Sequence, residues 1–181
     1  MKRFDFFISA PFAVALALFI YLDTDGLVPL FAAAALIHEF GHFAAMKILG
    51  ARVRGFSLGL TGAAITYNDS GIGTFSEVVI ALAGPVFGGI AALAAALLGF
   101  PEFAGVSLAL TLINLLPSGQ LDGGRVIAIV FRSELLTFAL NCAAGFVLLL
   151  FGIYVFGASG GNFTCLLLGA WLLADSFVNN R

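Results

Sequence analysis

A chain of 181 residues that is 61% hydrophobic and 10% charged, with a mean hydropathy of +1.11, cannot hide its apolar surface in a soluble core of that size. That composition places it among integral membrane proteins. The formal net charge of -2 is near neutral and gives no sign of nucleic-acid binding, and two cysteines in apolar runs, Cys142 and Cys165, read as buried free thiols rather than a disulfide framework or a Cys-based zinc pattern.

Spanning the hydrocarbon core takes about 20 apolar residues. Six stretches approach that length: 6–22, 27–49, 74–100, 103–116, 135–156 and 163–178. The expectation is an all-α integral membrane protein of about six transmembrane helices, forming one polytopic domain over 1–181. The first stretch follows a basic start but lacks a small-residue cleavage site before Asp23, so it reads as an uncleaved span. The second contains "LIHEFGHFAAMK" at 36–47, which holds both histidines of the chain, His38 and His42, with Glu39 between them.

After the second span, "FSLGLTGAAITY" at 56–67 alternates apolar and small residues and carries Gly59 and Gly62. It reads as a short strand or hairpin near the membrane face. The third span carries "ALAGPVFGG" at 81–89, with Glu77 near its start facing the headgroups. The fourth is short and runs into "NLLPSGQLDGGRV" at 114–126, where Pro117 and Gly119 should break the helix and Gly123 and Gly124 let the backbone bend. The last two spans offer Asn141 as interhelical glue, a packed Trp171, and Asp175 as a solvated or capping residue at the inner end.

Six spans put both termini on one side. All eight basic residues then share that side: Lys2, Arg3, Lys47, Arg52, Arg54, Arg125, Arg132 and Arg181. The opposite side receives Asp23, Asp25, Glu102 and the glycine-rich turn "GASGGN". The positive-inside rule makes the termini cytoplasmic.

His38 and His42 lie four residues apart, on one face of a helix. The His-Glu-x-x-His spacing lets two imidazoles bind one zinc ion while the glutamate handles the water proton. The plain alternative is a pair of hydrogen-bonded core histidines, but ionisable groups within a span are costly and mark function. A catalytic zinc needs a third protein ligand and an open position. With no other histidine present, a carboxylate must supply it, and Asp122 stands out. By helical rise His38 and Asn114 each lie roughly 16 Å into their spans, while Asp122 in a straight helix would lie roughly 28 Å down. A break at 117–120 is required to bring it level, and irregular backbone at that depth is tolerated only where it lines a cavity.

These motifs resemble the site-2 protease family of intramembrane zinc metalloproteases. "HEFGH" matches the first family motif, "NLLPSGQLDGG" the second, and "ALAGPVFGG" the Ala-Gly-Pro segment on the span between them; together they cover 27–125, the expected catalytic core. The resemblance implies zinc on His38, His42 and Asp122, with Glu39 as the catalytic residue and Asn114 assisting at the substrate carbonyl. It also implies a single-span membrane protein as substrate, such as a membrane-tethered transcription or signalling regulator. Two departures stand out: Val86, Phe87 and Gly88 follow Gly-Pro where the family often has an asparagine, and Ser118-Gly119-Gln120 stands where many members have more prolines. With no PDZ-like or CBS-like domain, the chain resembles a compact bacterial-type member with its site nearer the cytoplasmic face. Water would reach it near Ser118 and Gln120. The strand at 56–67 could pair with an unwound substrate segment. Competing readings are a metal-binding membrane transporter, which would repeat polar residues along several spans, and an inactive scaffold of the same fold.

Overall fold

The computed structural model describes residues 5–59, 62–68, 71–118, 121–159 and 164–178. It is mostly helical with one three-stranded sheet. The chain divides into two compact units, Met1–Leu112 and Ile113–Arg181. Among the described residues three helices are long and apolar enough to cross a membrane: Leu27–Ile48, Thr74–Leu97 and Glu134–Ala158. Two further apolar helices, Ala10–Leu22 and Cys165–Ala174, are shorter.

The first unit opens differently from the expectation. The apolar run from residue 6 is two elements, strand β1 (Asp5–Ile8) and helix α1 (Ala10–Leu22). Ser9 separates them: its side chain accepts the Phe12 N–H, and Pro11 in the first turn needs no donor of its own. α1 has 13 residues, or about 20 Å, against a hydrocarbon core of about 30 Å. β1 pairs in parallel with β2 (Arg52–Gly59), from Asp5↔Gly55 to Ile8↔Leu58. β2 pairs antiparallel with β3 (Gly62–Asn68), from Arg52↔Asn68 to Gly59↔Gly62. The expected β segment at 56–67 is therefore a hairpin with arms longer than expected, and β1 adds a third strand to it.

Helix α2 (Leu27–Ile48) starts after Gly26, which takes the left-handed φ of 69°. Asp23 supplies the cap from further back, its two oxygens accepting the N–H groups of Leu27 and Val28 at 2.9 Å each. The buried residues of α2 are Ala34, His38, Gly41, His42, Ala45 and Met46. They form one stripe at helical spacing. Helix α3 (Thr74–Leu97) answers with Ile80, Ala81, Gly84, Pro85, Gly88, Ala92 and Ala95. Small residues let the two backbones approach closely. A Cβ at Gly41 would stand only 2.5 Å from the Ala83 carbonyl oxygen and 2.9 Å from the Phe87 Cβ. The sheet packs at one end of this pair: Val53, Ile65 and Tyr67 lie against a core of Ala45, Met46, Ala51 and Ile80. Helix α4 (Pro101–Asn114) follows.

In the second unit, two tight turns lead out of α4, with the Ser118 N–H on the Leu116 carbonyl and the Leu121 N–H on the Ser118 carbonyl, each at 2.8 Å. Helix α5 (Asp122–Phe131) comes next. This corrects the reading of Gly123 and Gly124 as a bend, because both lie buried in the first turn of a regular helix. A Cβ at Gly123 would run into the Leu115 carbonyl. Glycine is there so that backbone can approach backbone. Arg132, with φ 49°, ends α5, and α6 (Glu134–Ser159) and α7 (Thr164–Val178) form an antiparallel pair. Their backbones meet at glycines: a Cβ at Gly152 would stand 2.5 Å from the Leu166 nitrogen, and one at Gly169 2.6 Å from the Leu149 nitrogen. Asn141, one turn before Gly145, is buried with its Oδ1 unpaired among the described residues. Trp171 is partly exposed rather than packed inside. The Asp175 side chain, the turn at 160–163 and the terminal cations Lys2, Arg3 and Arg181 lie outside the described residues.

Candidate metal centre

His38 and His42 sit on the buried stripe of α2, 4% and 5% exposed. Their Nε2 atoms are 3.2 Å apart and their rings cross edge to face at 78°. Two ring nitrogens that close share something between them, either a proton or a cation. The outer side of His42 is fixed: its Nδ1–H donates to the Ile80 carbonyl at 2.8 Å. That bond sets the tautomer and leaves the Nε2 lone pair directed at the shared point. The carbonyl comes from α3, one turn before Gly84.

Gly84 keeps the meeting point of the imidazoles clear. Any Cβ there would collide with Nε2 and Cε1 of His42 and with Nε2 of His38. It is the cradle that a cation between two imidazoles requires, and a larger residue would fill it.

Asp122 opens α5 and is 6% exposed. The helix N-terminus presents partial positive charge to its carboxylate. Arg125, one turn on, brings Nη1 to 3.9 Å from Oδ1. One ligand atom from each of His38, His42 and Asp122 lies within 4.8 Å of the others, and all three residues are buried. Two imidazoles and a carboxylate are the donor set of a catalytic zinc site, with the fourth tetrahedral position left to water or substrate. The residues present therefore fit the metal that the motif implies.

Glu39 follows His38 on α2 and is half-buried; Asn114 closes α4 and is half-buried. Ser118, expected to line a water route, is fully buried, and Gln120 lies outside the described residues. Gly84 and the Ile80 carbonyl complete the site beyond the residues expected from sequence. The quoted "ALAGPVFGG" contained the first signal, a glycine beside a proline inside an apolar helix.

No family model and no curated protein sequence matches the chain. Among solved structures, the site-2 protease from Methanocaldococcus jannaschii superposes with a TM-score of 0.68, covering 94% of this chain and 87% of that one at 20% sequence identity. With its buried His-His-Asp group and three apolar helices of spanning length, the chain has the fold of a site-2 protease.

Proposed function

We propose that this protein is a zinc metalloendopeptidase that hydrolyses a peptide bond in or near the transmembrane segment of a single-span membrane protein. The observation that carries the reading is the convergence of His38, His42 and Asp122, all buried, within 4.8 Å, with Glu39 adjoining the first of them. Zinc, when bound, supplies Lewis acidity that acidifies water and polarises a carbonyl. Glu39 accepts the proton of the attacking water and returns it to the leaving amine. The Asn114 amide donates to the carbonyl oxygen as negative charge develops there. The Ile80 carbonyl holds His42 in the tautomer that presents Nε2 inward.

The reading extends to six membrane crossings, cytoplasmic termini and a site nearer the cytoplasmic face, supported by the placement of all eight basic residues on one side of such a path. It also extends to regulated intramembrane proteolysis of a membrane-tethered signalling or transcription regulator. A substrate helix must unwind before its peptide bond can be attacked, and the outer edge of β3, the edge strand of the hairpin, offers backbone donors and acceptors to an unwound strand. Proline at β3 positions whose N–H points away from β2 should then slow cleavage; unchanged cleavage would remove that role.

The deciding experiment uses the purified chain in lipid nanodiscs with a membrane-embedded reporter. Cleavage should require zinc and should disappear in Glu39→Gln while the metal remains bound. Cleavage that persists in Glu39→Gln would contradict the assignment. Zinc bound at full occupancy, with no cleavage of any membrane reporter, would favour the transporter or inactive-scaffold readings.

A further inference from the structure

The outer nitrogen of His38 lies near Gly88 of α3, where α3 meets Thr111 of α4. On α4, Thr111 is 7% exposed and donates its hydroxyl proton to the Ser107 carbonyl at 2.8 Å. Across from it, α3 has Gly88. An ideal Cβ at Gly88 would stand 2.5 Å from Thr111 Oγ1 and 3.8 Å from His38 Nδ1. The position a side chain would take at that glycine thus neighbours both a hydroxyl oxygen and an imidazole nitrogen.

We propose that Thr111 is the positioning residue of His38, its Oγ1 accepting the Nδ1–H directly or through one water when Nε2 is engaged by a metal. The inference rests on the metal-site reading above. An imidazole that ligates through Nε2 carries its proton on Nδ1, and in a buried site that proton needs an acceptor. His42 has the Ile80 carbonyl for this purpose. Thr111 suits the corresponding role for His38 because its only proton is committed to Ser107, so it presents lone pairs to the space beside Gly88. A hydroxyl that merely satisfied itself on the preceding turn, a common habit of threonine in helices, would do as well anywhere along α4. Thr111 instead sits against Gly88, an α3 position whose missing side chain leaves the outer nitrogen of His38 accessible.

The test measures zinc affinity of the full chain in detergent, by competition with a chromophoric chelator after stripping. Thr111→Val keeps the shape and loses the oxygen, and should weaken zinc binding about tenfold or more, the usual consequence of losing an outer partner of a ligand. Thr111→Ser should stay within about twofold of the parent, a factor well below that loss. The double variant Gly88→Ser, Thr111→Ala returns a hydroxyl to the same room from the opposite helix and should recover most of the affinity. In cobalt-substituted protein, Thr111→Val should also shift the visible d–d bands, which a packing role would leave in place. Thr111→Val with parental affinity and spectrum would overturn the proposal, as would Thr111→Ser binding as weakly as the valine variant. If Thr111→Val does not fold, the serine and double variants decide by the same criteria. If the parent chain binds no zinc, or binds it equally well as His42→Ala, the metal-site reading itself fails and takes this inference with it; a parent that binds through His42 with an indifferent Thr111 sinks the inference alone.

Discussion

Gly84 shows how little separates a metal site from a packed helix crossing. Alanine would favour helix α3 by up to about 1 kcal/mol over glycine. Yet its methyl group would occupy the point at which the two Nε2 atoms meet. Gly84→Ala should therefore keep the helical circular dichroism, at a cost in stability of no more than the about 1–3 kcal/mol of overpacking, while lowering zinc content by more than an order of magnitude. Metal analysis after gel filtration would check this, and full zinc occupancy in the variant would show that the cation does not sit between the imidazoles. Asp122 carries the complementary expectation. Asp122→Asn keeps the shape but removes the charge, and a neutral amide is a poor zinc ligand. Zinc should become readily removable by a mild chelator, with His38 and His42 still in place. At this scale the sequence was most informative where ligands are local: His38, Glu39 and His42 lie within one and a half turns of one helix, and their spacing states their geometry. Asp122 could be reached from sequence only by exclusion and by family likeness. Gly84 and the Ile80 carbonyl could not be assigned their parts at all, since each acts through a neighbour 38 or more residues away in the chain.

Elements were legible when their signals were self-contained. α2, α3 and α6 each carry an apolar run of spanning length, and the alternation at 56–67 foretold the hairpin. β1 was absorbed into a helix because a strand's partners are remote: Phe6, Phe7 and Ile8 are apolar whether they face lipid or pair with residues 56–58. The local clue was the Ser9 cap with Pro11 behind it, a helix start in the middle of an apolar run. α5 was missed because two consecutive glycines weaken a helix by propensity; the close approach to the Leu115 carbonyl outweighs that preference. The start of α2 yields a prediction that belongs to this scale. Gly26 offers no side-chain cap, and both carboxylate oxygens of Asp23 serve instead. Asp23→Ala should cost about 1 kcal/mol, the typical loss on removing a cap. Reversible unfolding in mixed micelles can read it, and Asp23→Asn should recover part of the loss. An alanine variant as stable as the parent would mean that lipid headgroups or water replace the cap at no cost. Because α2 carries both histidines, fraying at its start is expected to leave zinc affinity unchanged: His38 lies three turns further in.

For the whole molecule, helix length and charge placement pull in different directions. Only α2, α3 and α6 reach spanning length among the described residues. α1, α4 and α7 have 13, 14 and 15 residues, about 20 to 23 Å of helix against roughly 30 Å of hydrocarbon. If the three long helices alone crossed, the cations would divide evenly, with Lys2, Arg3, Arg125 and Arg132 on one side and Lys47, Arg52, Arg54 and Arg181 on the other. If all six crossed, every cation would share one side, as the positive-inside rule favours. Short helices can cross where the bilayer thins around them or where flanking residues extend the path, at fractions of a kcal/mol per Å of mismatch. Burying cations on the wrong side of the charge bias gains nothing comparable, so six crossings are the expected arrangement. Arg54 and Arg132 discriminate the two cases. With Cys142 and Cys165 replaced by serine, single cysteines at positions 54 and 132 should both react with a membrane-impermeant maleimide only from the cytoplasmic side, while cysteines at Asp25 and Glu102 react only from outside. Labelling of 54 and 132 from opposite faces would instead establish the three-crossing path, and α1, α4 and α7 would then have to be helices that enter the bilayer without traversing it.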